Sequence, residues 1–249
     1  MSKIVTAAMV VIGDEILSGR TKDKNIGHLA DILTAIGIDL KEVRIVPDEE
    51  DEIVAAINAV RARYAYVFTT GGIGPTHDDI TADSVAKAFG VPCGYDEKAY
   101  AMLEAHYRTR EMEFTEARKR MARMPRGAEH IANPISMAPG FRIGNVHVMA
   151  GVPSIFQAML DNVVPTLVTG TKLISATVQC PFGEGTIGDA LGAIQKAHPE
   201  TIIGSYPKYL DGKFWTELVV RARSKEALAP AVAAVERMVA EQAEVARSA

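Results

Sequence analysis

Cysteine is scarce in this chain of 249 residues: only Cys93 and Cys180 occur, and no CxxC pair. A zinc knuckle and a thioredoxin-type redox pair are therefore disfavoured, as is a disulfide framework. An excess of one charge is also lacking, since 27 Lys and Arg face 31 Asp and Glu for a net charge of -4. Such a chain gains no general attraction to nucleic acid or to an anionic membrane, so any bound phosphate has to be held by local groups. No apolar run approaches the ~20 residues that span a bilayer. The apolar stretch that begins near Ile4 meets Asp14 and Glu15 too soon for a signal peptide. These absences lead us to expect a cytoplasmic protein with neither nucleic-acid nor membrane partners. There is no Walker A loop, GxGxxG or GxSxG, so ATPase, dehydrogenase and α/β-hydrolase readings lack support. The six histidines show no HxH or HExxH spacing.

What the chain does have is a hydrophobic content of 48%, enough for a folded core. Ile4 to Ile12 is apolar without polar alternation after Thr6, which suits a strand buried on both faces. Ile26, Leu29, Ala30, Leu33 and Ile36 recur at helical spacing, and Gly37 follows as a stop. Leu40 to Val46 reads as a strand. Asp48 is placed to cap the helix whose stripe is Ile53, Ile57 and Val60. Ala65 to Thr69 is a third strand, Thr81 to Phe89 a helix ended by Gly90, and residues 96 to 124 read as two charged helices. Val146 to Met149 is a strand, and Pro153 suits the first turn of the helix that follows. Strands alternating with helices predict a three-layer α/β/α fold with a doubly wound, mostly parallel sheet.

After Pro165 and Gly170 the pattern changes to β-α-β-β-α: Lys172–Gln179, Thr186–Lys196, Thr201–Tyr206, Phe214–Ala222 and Lys225–Val239. Two domains, 1–168 and 170–249, are expected. Gly185-Thr186-Ile187-Gly188 has the GxxG form of KH modules, but Glu184 and Asp189 flank it, so a plain strand-to-helix turn is favoured. The seven basic residues between Arg108 and Arg126 are interleaved with glutamates, the pattern of a solvated helix face.

The segment richest in chemistry is Thr69-Thr70-Gly71-Gly72-Ile73-Gly74-Pro75-Thr76-His77-Asp78-Asp79-Ile80-Thr81. Three glycines after a buried strand let backbone amides approach an anion with no Cβ in the way. Two adjacent carboxylates repel a phosphate unless a divalent cation bridges them, or one accepts hydrogen bonds from a heterocycle. The plain alternative is a tight loop in which Asp79 or Thr81 caps a helix. Gly13-Asp14-Glu15 follows the first strand, and Gly151-Val152-Pro153-Ser154 follows a later one. Loops after parallel strands meet at the carboxyl edge of the sheet, so Asp14 and Asp79 are expected to face one crevice.

The segments GDEILSG (13–19), TTGGIGPTHDDIT (69–81), NPISMAPGF (133–141) and AGVPS (150–154) resemble the MoaB/Mog molybdopterin-binding family. The likeness is closest to the N-terminal part of CinA-like competence/damage-inducible proteins, and the tail is similar to the small domain that follows there. The resemblance implies a pterin with its phosphate, or a nucleotide, at the sheet edge. It implies catalytic and Mg²⁺-binding (or other divalent-metal) roles for Asp14 and Asp79. Ligand contacts are expected from Gly13, Glu15, Thr70, Gly71, Gly72, Gly74, Asp78, Thr81, Gly151, Pro153 and Ser154. A homo-oligomer is implied as well. Three activities stay open on this basis: molybdopterin binding, metal-dependent hydrolysis of ADP-ribose-type pyrophosphates, and a non-catalytic interaction module. The family often has Gly, Pro and Glu where Ser136, Ala150 and Ile155 stand here, which lends weight to the last.

Overall fold

The computed structural model describes residues 3–248. The chain divides into two compact units, Ile4–Gly170 and Thr171 onward, with Lys3 joined to the latter. Among the described residues, no helix is long and apolar enough to cross a membrane.

The first unit runs β1 (Val5–Ile12), α1 (Asp14–Leu17), α2 (Asn25–Ala35), β2 (Ile38–Val46), α3 (Glu50–Arg61), β3 (Tyr66–Thr70) and α4 (Thr81–Phe89). It continues with β4 (Cys93–Tyr95), α5 (Glu97–Thr109), α6 (Glu116–Lys119), β5 (Arg123–Pro125), β6 (Glu129–Ile131), β7 (Gly140–Ile143), β8 (Val146–Met149) and α7 (Pro153–Val163). Six strands form one sheet in the order β2-β1-β3-β8-β7-β6. The first four are mutually parallel, and β7 and β6 extend them antiparallel.

Strand β1 shows why its sequence lacks alternation. Val5, Ala7, Met9 and Val11 enter one core with Leu29 and Leu33 of α2 and Phe156, Met159 and Leu160 of α7. Ala8, Val10 and Ile12 enter the other with Ile53, Ile57 and Val60 of α3, Val85 of α4 and Leu103 of α5. Helices cover both faces, and both sets of β1 residues are buried, as a central parallel strand requires. Each fully buried Leu or Phe contributes about 1.5–3 kcal/mol, so these two interfaces dominate the stability of the unit. The three-layer, mostly parallel α/β fold expected from the sequence is the one observed.

Three local readings need correction. The segment after β1 is not only a turn, because Asp14–Leu17 forms one helical turn. Residues 96–124 hold one long helix, α5. The second shrinks to the single turn of α6, followed by a 3-10 turn at Arg120–Ala122 and the strand β5. Strands β4 to β7 have only three or four residues each, too short to show a period of two. Lastly, Asp48 does not cap α3. The cap position is Glu49 without a side-chain bond, and the Asp48 Oδ2 accepts the Asp14 N–H at 3.0 Å instead.

The second unit is β9 (Ile174–Cys180), α8 (Glu184–Ala197), β10 (Thr201–Leu210), β11 (Lys213–Ala222) and α9 (Lys225–Ser248), with an antiparallel sheet ordered β10-β11-β9. Its core joins Leu218 and Val220 of β11 to Ile187 of α8 and to Ala231 and Val235 of α9. Asp211 and Gly212 both take positive φ, 51° and 74°, the two-residue hairpin turn that suits the strand twist. The Gly185–Gly188 segment lies in the first turns of α8 rather than in a loop between helices.

Candidate active site

Register brings the site together. Val11 of β1 lies opposite Thr70 of β3, and Thr70 lies opposite Met149 of β8. The loops that begin at Gly13, Gly71 and Ala150 therefore leave one edge of the sheet side by side, at the carboxyl ends of parallel strands.

Between them lies a crevice of about 630 Å³. That volume is in the range of small-molecule sites. Gly13, Glu15, Asp48, Gly71, Gly72, Ile73, Gly74, Asp78 and Asp79 line it, with Gly151, Pro153 and Ile155 from the β8 side. Asn133, Ser136 and Ala138 close a further wall, joined by Met121.

Close backbone packing builds its floor. Gly71 has φ +104°, its N–H donates to Met149 O at 3.2 Å, and a Cβ on it would lie 2.1 Å from Ile12 O. Gly72 has φ +67°, and its Cβ would meet the Thr81 hydroxyl at 2.1 Å. That hydroxyl is fixed by its donation to Gly71 O at 3.0 Å. The first two glycines are thus required by neighbouring protein atoms, not by a ligand's approach as the sequence suggested. Gly74 differs, because its Cβ would meet only the Asp79 carboxylate, at 2.6 Å.

The amides beyond this crossing are free. Those of Gly72, Ile73 and Gly74 make no hydrogen bond among the described residues. Helix α7 starts at Pro153 with no side-chain cap, and its first intrahelical amide is Phe156 N to Val152 O. The N–H groups of Ser154 and Ile155 stand before it at the positive end of the helix dipole. Two sets of unpaired donors therefore belong to segments lining one crevice, an arrangement that suits an anion.

The acidic groups are divided. Asp79 is tied back into its own loop, where Oδ2 accepts the Thr76 N–H at 2.7 Å and the Thr76 hydroxyl at 2.5 Å. It does not cap α4, whose cap position is Ile80, and Thr81 does not either. Asp14 does not line the crevice. It borders an adjoining depression with Arg20, and only Glu15, Asp48 and Asp78 belong to both. Burial first, and then the charges of Asp14, Glu15 and Asp78, push the Asp48 carboxyl above its ordinary value against the Asp14 N–H bond. Asp78 is held below its ordinary value, chiefly by hydrogen-bond donors of its own loop. His77 is almost wholly exposed and lies 3.9 Å from the Asp78 carboxylate.

This placement corrects several expectations. Asp14 and Asp79 do not share one cavity, and the described residues contain no group of three or more His, Cys, Asp or Glu arranged to hold a metal. The residues present therefore do not fit a preformed divalent-metal cage. Thr70 and Thr81 are buried and do not touch the crevice; each bonds the loops to one another. Ser154 follows Pro153 in α7 and contributes no lining side chain or cap.

Two residues that matter were missed. Asn25, the first residue of α2, is 3% exposed, and its amide donates to Thr70 Oγ1 at 2.9 Å and to Gly151 O at 2.8 Å. Thr70 in turn donates to Ala150 O at 3.0 Å, so one buried amide joins two of the crevice loops. Asn133 shapes the opposite wall by donating to Ser136 Oγ and Ala138 O while accepting from the Ile135 and Ser136 amides. A polar residue at the start of an apolar helix was the available signal for Asn25. For Asn133 the signal was an Asn-Pro pair opening a loop.

Comparison with known proteins agrees with this picture. A protein of Pyrobaculum arsenaticum is 36% identical over 211 residues, 81% of this chain and 80% of that one. One of Aeropyrum pernix is 32% identical over 245 residues, 93% and 91% of the two chains. One of Caldivirga maquilingensis is 38% identical over 165 residues, so the match spans 65% of this chain and 64% of that relative. Among solved structures, the protein CinA with unknown function from Thermoplasma acidophilum superposes with a TM-score of 0.61 at 31% identity, covering 66% of this chain and 99% of that one. Residues 172–248 match the middle domain of FAD synthase. Residues 8–169, which hold the crevice and every loop around it, match the probable molybdopterin binding domain, and the chain belongs to that family.

Proposed function

We propose that the crevice binds molybdopterin or a related pterin or nucleotide phosphate, and that the protein serves molybdenum cofactor metabolism. The observation that carries this reading is the pair of unpaired amide sets, Gly72 to Gly74 and the first turn of α7, on one cavity wall. The phosphate sits on those amides. The pterin edge, rich in N–H donors, faces the acceptors Glu15, Asp48 and Asp78. Any Mg²⁺ arrives with the phosphate and uses one carboxylate at most, as that ion commonly does.

A second reading has one observation in its favour. The match of 172–248 to a domain of FAD synthase points toward a nucleotide diphosphate as ligand, with hydrolysis of ADP-ribose-type pyrophosphates as the activity. A thermal-shift panel of molybdopterin, FAD, ADP-ribose and AMP, with and without Mg²⁺, separates the two. Stabilisation by molybdopterin without Mg²⁺ supports the first reading, whereas stabilisation only by the diphosphates supports the second. Asp79→Asn is expected to weaken binding by loosening the Thr76 turn, and full retained affinity would count against the site. We also propose a homo-oligomer, which light scattering at micromolar concentration tests.

A further inference from the structure

A free sheet edge carries unpaired backbone groups, and natural proteins guard such edges with charge, proline, irregular pairing or brevity. The two larger sheets of this chain end in β2, β6, β10 and β9. Strand β2 carries Lys41, Glu42 and Arg44, and its pairing with β1 shifts register between Ala7 and Ala8. Strand β6 has only three residues. Strand β10 holds Pro207 and Lys208. Strand β9 has none of these devices. Its seven residues, Ile174–Cys180, include no charge and no proline, and its pairing with β11 is unbroken.

The β9 edge is also uncovered. In an antiparallel pair, alternate residues bond the neighbouring strand and those between them point away. Among the described residues, no backbone amide of Ile174–Cys180 has a backbone partner beyond β11. On the core face, Leu218, Val220 and Ala222 of β11 are at most 1% exposed. Val178, Ala176 and Ile174 lie opposite them on β9 and are only half-buried. Helices α8 and α9 thus close the core over β11 and leave its β9 margin open. On the other face Ser175, Thr177 and Gln179 are exposed.

This edge is complementary to itself. A second copy, turned about a two-fold axis normal to the sheet at Thr177, lays its own β9 antiparallel to the first. Thr177 then faces the second copy's Thr177, Ser175 faces its Gln179, and Ala176 faces its Val178. Apolar groups meet on the core side, hydroxyl and amide groups meet on the outer side, and no like charges oppose one another. Pairs of these kinds stabilise antiparallel strands. The outward amides gain partners, and the two open core margins cover each other.

We infer that β9 is an interface between copies of this chain, where two three-stranded sheets join into one continuous sheet in a two-fold dimer. The inference rests on the homo-oligomer proposed above and names its surface.

The test is light scattering of the full chain at micromolar concentration, where the unsubstituted protein should show twice the mass of one chain. Thr177→Lys sets two cations against each other at the axis, and Thr177→Glu sets two anions there. Each variant alone should show the mass of one chain, and the two mixed in equal amounts should recover the doubled mass. Thr177 is exposed, so both should keep the circular dichroism of the unsubstituted protein. If the unsubstituted protein is monomeric, the oligomer and this interface both fall. If it is oligomeric and both variants remain so, the oligomer stands and the interface is overturned. Variants that separate but do not pair on mixing would also overturn it. Hydrogen exchange on the unsubstituted protein decides should a variant not fold. The outward β9 amides should exchange more slowly in concentrated than in dilute solution, and equal rates would overturn the interface.

Discussion

Replacing Gly71 by Ala tests how the crevice floor is built. The new Cβ would sit 2.1 Å from Ile12 O, a backbone atom of the central strand, where ordinary contact begins near 3.4 Å. Either Ile12 or the Gly71 loop has to shift, and the Gly71 N–H to Met149 O bond lies in the path of that movement. The φ of +104° adds strain for any residue with a Cβ. Strained backbone of this kind costs about 1–3 kcal/mol, and a lost hydrogen bond about 1 kcal/mol. Steric displacement comes on top, so a loss of about 3–5 kcal/mol is expected, in the upper tail for single substitutions. Gly74→Ala is the control. Its Cβ would press only on the Asp79 carboxylate, whose bond to Thr76 is then disturbed, for a loss of about 1 kcal/mol. Urea unfolding followed by circular dichroism reads both, with an unchanged slope as the check that stability alone has moved. A Gly71→Ala midpoint within about 1 kcal/mol of the parent would refute the claim that this glycine is fixed by Ile12.

Asn25→Ala removes the donor shared by Thr70 and Gly151, so unfolding free energy should fall by about 2–3 kcal/mol, with ligand binding weakened as the two loops part; an unchanged midpoint would dismiss the link. Asp48 is raised on folding, so its favourable contribution is greatest below its unfolded value near 3.8 and is lost as pH rises through the folded value. Asp48→Asn keeps an acceptor for the Asp14 N–H and removes the charge, so Tm at pH 7 should rise, with the gain shrinking toward pH 4. His147 is lowered on folding from 6.5 to about 4, so the unfolded chain takes up the proton first. Stability should therefore decline as pH falls from 6.5 toward 4, a decline that differential scanning calorimetry should find reduced in His147→Phe.

The sequence by itself determined the class of fold and the family. An unbroken apolar β1, helices with stripes at Leu29 and Leu33 or Ile53 and Ile57, and glycine-rich loops after strands leave little room beyond a doubly wound parallel sheet. Those signals are local, since each needs only neighbouring residues and the 2.0 or 3.6 period. Short strands such as Glu129–Ile131 escaped because three residues carry no period and are held by partners distant in sequence.

The tertiary structure alone decided what each site residue touches. Two glycines that looked reserved for a ligand are reserved for Ile12 and Thr81, because packing between loops is set by strand register and not by composition. Asp14 and Asp79 follow strands of one sheet, yet they line different depressions: Asp14 opens the helical turn α1 beside Arg20, and Thr76 holds Asp79 within its own loop. Asn25 binds Thr70 and Gly151, respectively 45 and 126 residues away in sequence. Contacts across such separations depend on how the sheet orders its strands, which no single segment of the chain encodes.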